Sequence, residues 1–453
     1  LNSMGICPAC LSSFLRSGRV TMKRAHWCML GAAIGLASGQ AVASGFSVSY
    51  QSVSAMGSAY AGAGVLAENA SNQWFNPATL AALDSTEFSV PLHQVWVDTR
   101  FKTDDDGRFL GVIPQAGTGP GDFDDVDPFV GSLFLAVPIN DTMTFGLSVV
   151  SPFGTKIEYE DGWGNAYVTP PPPGGLGPVT AGDFYALESD LQTININPSL
   201  ALQVTERLNL GVGLNYQKLD ADIRNAATRL EGDDEAFGWN LGLTFQADDN
   251  NQFGVAYRSN LDYEVEGDIT FSQAGAALSS LSGNPVAPGS YAGTADIELP
   301  ASLQLSYAGN LSDRTQLLLG VEWTEWSSLD ALVVESPALA FNPTEEFDWN
   351  NTVRYSLGAR HDLNGSTVIR FGVAKEDSTQ GTDNRSAISP DSDRTWVTLG
   401  AGFQPADNMT IDVGYAHIFV DDADINRTDK GAQLKGTYEL DADVIGAQMS
   451  YRF

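Results

Sequence analysis

The chain is poor in cysteine, in positive charge, in histidine and in long apolar runs, and each shortage removes a class of protein. Cysteine occurs only as Cys7, Cys10 and Cys28. From residue 44 onward there is none, so a disulfide framework, a thiolate nucleophile and a cysteine metal site are excluded there. Ala25-His26-Trp27 before Cys28 lacks the small and apolar pattern of a lipoprotein signal. Lys and Arg total 24 against 56 Asp and Glu, a formal charge of −32. No nucleic-acid partner is expected of such a surface. The acidity fits solvated loops, divalent cations bridging to lipopolysaccharide, or a salt-adapted host. Beyond residue 43 the histidines are His93, His361 and His417, and no G-x-S-x-G is present. An enzyme is therefore not expected, and no catalytic residue is assigned. Asp104-Asp105-Asp106 and the run from Asp122 to Asp127 lack the D-x-D-x-D-G spacing, so they read as solvated loops rather than a calcium site. No metal or other cofactor is expected. Residues 44–453 contain no apolar run of the ~18 residues that a transmembrane helix needs.

What the chain does have is a period of two. In the last ten residues, Ile445, Ala447, Met449, Tyr451 and Phe453 take one parity, and Gly446, Gln448, Ser450 and Arg452 take the other. The pattern predicts a strand with one apolar and one polar face. The same alternation returns in 208–216, 239–245, 303–307 and 397–403. A wide water-soluble barrel could not fill its interior with these apolar faces, so they are expected to meet lipid. Short connections near 139–141, 205–206, 248–250, 312–313, 364–365 and 405–408 alternate with long ones. The long ones fall near 103–127, 152–184, 222–234, 272–292, 327–346, 379–393 and 425–436. Short turns on the periplasmic side and long loops outside predict an all-β, antiparallel transmembrane β-barrel of about 14 strands. Tyrosines and tryptophans such as Trp96, Trp323, Trp326, Tyr415 and Tyr451 suit the aromatic girdles of such a barrel. The final strand would close on the first and remove both edges. A strand ending in Phe453 resembles the signal by which the barrel-assembly machinery of a Gram-negative outer membrane takes up its clients.

The N-terminal end is organised differently. Met22-Lys23-Arg24, a weak apolar run and Ala41-Val42-Ala43 form a secretory signal, so residues 1–43 are expected to be upstream sequence and a removed leader. Residues 44–85 are rich in small residues and not strand-like, and are expected to form a plug with short helices. Residues 86–453 are expected to form the barrel. The run Pro170 to Pro173 is a stiff excursion within a long loop.

Several stretches carry a family resemblance. They are Ser44-Gly45-Phe46, Ala59-Tyr60-Ala61-Gly62, Asn76-Pro77-Ala78, the run from Ser189 to Leu200, Phe237-Gly238-Trp239-Asn240, Tyr257-Arg258-Ser259, the run from Trp323 to Ser327, and Asp393-Arg394-Thr395-Trp396. In this order and spacing the chain resembles the FadL/TodX family of outer-membrane transporters for long-chain fatty acids and other hydrophobic compounds. The resemblance implies a barrel plugged by its own N-terminal segment. It implies that cargo is captured at the outer loops and released sideways through a gap beside an inward kink in the third strand, here Thr142 to Ser151. Asn76, Pro77 and Ala78 in the plug, with Gly146 and Ser148 on that strand, become the gating candidates. The Asn-Pro-Ala bend is expected to touch the kink, and the other reading is a plain turn at the end of a short helix.

A fatty acid carries a carboxylate that needs a donor in a dry pocket. Arg258, Arg354 and Arg394 oppose the apolar parity of their strands and should face the lumen. They are substrate-binding candidates, and the other reading is that they pair with lumenal acids such as Asp412 or Glu322. The expected partners are a fatty acid or hydrocarbon, outer-membrane lipid and lipopolysaccharide, and the assembly machinery, for a monomer. A general aqueous porin and an aromatic or alkane channel are the alternatives.

Overall fold

The computed structural model describes residues 37–38, 44–104, 108–109, 113–114, 121–122, 127–160, 162–164, 180–281, 283–428 and 433–453. The Ala41-Val42-Ala43 signature, the proline run and parts of both acid clusters lie outside the described residues.

The alternating segments become fourteen antiparallel strands. β1 is Glu87–Thr103, and β2 is Leu133–Asn140 with the short piece Phe129–Gly131 before it. β3 is Met143–Val150, resumed after a break by Gly154–Glu158. β4 is Glu188–Thr205, β5 is Leu208–Arg224 and β6 is Thr228–Gln246. β7 (Asn251–Arg258, Leu261–Phe271), β8 (Gly289–Leu299, Ser302–Ser312) and β9 (Thr315–Thr324, Ala331–Glu335) are each interrupted once. β10 is Thr352–Asn364, β11 is Thr367–Glu376 and β12 is Arg394–Ala406. β13 is Met409–Val420 with Ala423–Arg427, and β14 is Leu434–Arg452. β14 pairs with β1 from Glu87↔Arg452 to Thr103↔Gly436, so the sheet closes on itself. Pairing the last strand with the first removes the two terminal edges, which a lipid-spanning sheet could not leave open.

The two faces follow the sequence parity. On β5, Leu210, Val212 and Leu214 point outward while Gly211, Gly213, Asn215 and Gln217 point inward. Phe237 is 77% exposed and Leu214 64% exposed, within an outward belt shared by Trp239, Leu357, Phe371, Leu399, Val413 and Ile445. An apolar belt of that extent needs lipid rather than water against it.

One expectation fails instructively. Residues 222–234 were expected to form a long loop, yet β5 and β6 pair without interruption from Leu208↔Phe245 to Arg224↔Arg229. Parity does not change there; polarity does. Above the belt, Leu219 and Ala221 turn inward while Asp220, Asp222, Glu231 and Asp233 take the outer parity. The wall therefore continues past the lipid, where water is outside and the interior is apolar. Interior aromatics at this end, among them Tyr159, Trp163, Tyr185 and Tyr438, form one buried cluster, and Trp326, expected in a girdle, belongs to it rather than to the lipid face.

Candidate functional site

Residues 44–85 lie inside the barrel as a hatch. Ser52 caps the turn Val53–Met56, accepting from Ala55 N at 3.3 Å. Asn69 and Asn76 cap the 3-10 turns Ala70–Trp74 and Pro77–Ala82. Proline at the first helical position loses no hydrogen bond and presets the turn. Ala59 and Tyr60 have φ of 51° and 63°, a left-handed corner that the enclosing wall must hold in place.

The hatch is bonded to the wall around its circumference. Asn76 Nδ2 donates to the carbonyls of Gly64 at 2.7 Å and Leu243 at 3.0 Å, joining hatch to β6. Gln448 on β14 accepts from Val53 N and donates to Asn69, each at 2.9 Å. Glu87 on β1 accepts from Ala70 N at 2.7 Å. Glycines on the inner wall permit this approach. A Cβ on Gly242 would collide with the Asn76 carboxamide, and one on Gly146 with Gln73 and Leu80.

The third strand leaves its ladder at Ser151-Pro152-Phe153. Val150 pairs with Asn195 and Gly154 with Gln192, so β3 carries one residue more than β4 across the break. The β2–β3 ladder ends at Leu133↔Val149. Beyond it, among the described residues, Gly154–Glu158 pairs with β4 alone, while Phe129–Gly131 pairs with β1 and with Ala37–Ser38. The hatch fills part of the vacated ladder. Val48 N donates to the Pro152 carbonyl and Gly154 N to the Phe46 carbonyl, both at 2.8 Å.

Two of the cavities along the lumen bear on the site. One of about 60 Å³ is apolar, lined by Phe46, Leu191, Ile223, Val265, Ile269 and Leu332. The other, about 90 Å³, is walled by Trp74, Phe153, Asn240, Tyr257, Arg258 and Arg354. Arg258 Nη2 donates to the Trp74 carbonyl at 2.8 Å, Nη1 donates to Asn215, and its guanidinium carbon lies 3.7 Å above the Trp74 ring. Among the described residues Arg258 has no carboxylate partner. Arg354 does: it pairs with Glu322, donates to Ser49 Oγ at 3.2 Å and lies 5.2 Å from the Tyr60 ring.

The structure thus brings Arg258 and Arg354 to one cavity, with Glu322 matching the second of them. Arg394 does not line it and pairs instead with Asp391. Asp412 pairs with Arg370, a residue that parity reasoning did not single out. Asn76, Pro77 and Ala78 sit on Gly211 and Gly242 of β5 and β6, and Pro77 lines the same cavity as Pro152 and Phe153 of the β3 break. Gly146 and Ser148 lie before the break, Gly146 against Gln73 and Leu80, and Ser148 buried with its hydroxyl unbonded. Phe153 and Trp74 were missed; Pro152, a proline inside a strand pattern, was the available signal for the break.

A general pore leaves its lumen to water. Here the lumen is packed with the chain's own N-terminal segment, and the wall is interrupted where that segment reaches it. The molecule is a plugged transmembrane barrel of the selective, transporting class.

The chain belongs to the family described as outer membrane protein transport protein (OMPP1/FadL/TodX), which matches residues 34–453. It is 30% identical over 446 residues to outer membrane protein P1 of Haemophilus influenzae, covering 88% of this chain and 90% of that one. It is 25% identical over 464 residues to the long-chain fatty acid transport protein of Escherichia coli O6:H1, covering 94% and 98%. A crystal structure of a Pseudomonas aeruginosa FadL homologue matches with a TM-score of 0.78 at 22% identity, over 90% of this chain and 100% of that one. The Ralstonia pickettii toluene transporter TbuX matches with a TM-score of 0.58 at 16% identity, over 86% and 95%. Both structural likenesses concern the fold. The protein resides in the outer membrane of a Gram-negative bacterium.

Proposed function

We propose that this barrel takes up long-chain monocarboxylates at its long-loop end and releases them sideways into the outer membrane beside β3. The observation that carries the reading is Arg258, a lumenal guanidinium that among the described residues makes no ion pair, since Glu322 in the same cavity pairs with Arg354; an apolar pocket lies further along the lumen. An alkyl tail suits the apolar walls, and a carboxylate supplies the missing acceptor. The break at Ser151-Pro152-Phe153 offers the exit, with Asn76, Pro77 and Ala78 holding the hatch and Gly146 and Ser148 flanking the route. The 25% identity to a long-chain fatty acid transport protein supports the same cargo. Neutral hydrocarbons are the second reading, favoured by the apolar lining from Leu191 to Leu332. The hatch weighs against a general diffusion porin, and transport rather than catalysis is the role its packing serves. In this reading residues 1–43 are removed, the mature chain acts as a monomer, its acidic outer wall meets lipopolysaccharide, and Phe453 is read by the assembly machinery.

Uptake of radiolabelled oleate, hexadecane and toluene by cells expressing the protein tests the reading. Saturable uptake of oleate is expected. Uptake of toluene or hexadecane alone would select the hydrocarbon reading, and steady ion conductance without uptake the porin.

A further inference from the structure

Glu68 is a hatch carboxylate, and its partners are not those of an ordinary surface pair. Arg360 on β10 and Arg370 on β11 stand directly opposite each other in the ladder, both toward the lumen. Two like charges so placed repel unless an anion lies between them. Glu68 Oε1 is that anion. It accepts from Arg360 Nε at 2.7 Å and from Arg370 Nη2 at 3.2 Å. Arg370 also reaches past Gly402 on β12 to Asp412 Oδ1 on β13 at 2.9 Å. Asp362 on β10 meets Arg360 Nη1 at 3.1 Å. The side chains of Arg370, Asp412 and Glu68 are 5%, 1% and 13% exposed, so water screens the cluster weakly. Burial by itself would raise the Glu68 carboxyl, but the guanidiniums of Arg370 and Arg360 outweigh it and hold it below the usual carboxylate range.

We propose that Arg360 and Arg370 form a carboxylate site on the barrel wall, that the hatch fills it with its own Glu68, and that this contact latches the hatch against ion leakage. The site lies on β10 and β11, away from the break in β3 and from the Arg258 cavity. It fits a monocarboxylate: one oxygen shared by two parallel donors, with Asp362 and Asp412 balancing the remaining charge. The inference rests on the hatch being the seal of the lumen but not on any cargo.

The test is ion conductance of the mature full-length protein in planar bilayers, so a negative result leaves the transport reading standing. Replacing Glu68 by Gln should raise the open fraction about tenfold or more, the scale of a lost charge-assisted contact. In Glu68→Gly, acetate should return the conductance toward the wild-type value while equal chloride should not. The groups facing Glu68 are Arg360 and Asp362 on β10, Arg370 on β11 and Asp412 on β13. Wild-type conductance should rise as pH falls through the lowered range of the Glu68 carboxyl, and Glu68→Gln should have lost that rise. Conductance of Glu68→Gln equal to wild type, or indifference of Glu68→Gly to acetate, would overturn the proposal. If neither variant assembles, Arg360→Gln takes their place, since it removes the shorter of the two bonds to Glu68. Conductance of Arg360→Gln equal to wild type would then refute the latch.

Discussion

Arg258 and Arg354 share a cavity, but among the described residues only Arg354 is ion-paired, to Glu322, and the proposed roles follow from that difference. A charge-assisted hydrogen bond is worth about 1.5–3 kcal/mol, so Arg258→Leu should weaken oleate binding roughly 10- to 100-fold. Hexadecane binding should change little, which a fluorescence titration of both ligands will show; equal losses for the two would remove Arg258 from carboxylate recognition. Arg354→Leu is expected to act through assembly instead, because it strands Glu322 and frees Ser49 and Tyr60 of the hatch. Its signature is a lowered unfolding temperature with oleate affinity changed less than in Arg258→Leu. At the wall, Gly242 has room for hydrogen alone beside Asn76. Gly242→Val should push the Asn76 carboxamide off the Gly64 and Leu243 carbonyls, bonds worth about 1 kcal/mol each. Faster proteolysis of the hatch in an intact barrel is the expected readout, and unchanged protection would show that the bend is held elsewhere.

At the scale of elements, alternation was enough to place most strands. The turns at 141–142, 206–207, 313–314, 365–366 and 407–408 fall where short connections were expected. The 222–234 segment was misread because its acids look like loop residues. On a wall rising above the lipid, acids belong on the outer parity, and period two persists through the change of solvent. Gly146 and Ser148 were gating candidates on the third strand; in the fold Gly146 makes room for Gln73 and Leu80, and the break follows at Ser151-Pro152-Phe153. Contacts between the hatch and distant strands, such as Gln448 with Asn69 or Glu68 with Arg370, join residues hundreds of positions apart. No local pattern announces them. The three lumenal arginines were legible from parity, but which of them lacked an acid was not. Asn76→Ala should remove the cap on Pro77–Ala82 along with the bonds to the Gly64 and Leu243 carbonyls, and reduce uptake while heat-modifiable mobility of the barrel survives.

For the molecule as a whole, charge and closure are complementary. Carboxylates on the outer parity above the belt keep the projecting wall solvated, and a closed sheet leaves no edge for aggregation. Inside, the hatch packs against wall glycines and amides, so sealing the lumen does not depend on outer loops. Cargo then has two conceivable ways out: straight through a displaced hatch, or sideways past β3. The extra residue of β3 decides between them. β3 has one residue more than β4 across the break, so deleting Pro152 should restore one-to-one pairing with β4 and is expected to let β3 continue along β2. Oleate uptake by cells expressing this deletion is the most direct measurement. The lateral route predicts uptake reduced to background with oleate binding by the purified barrel retained; uptake at the wild-type rate would contradict it and send the cargo through the hatch.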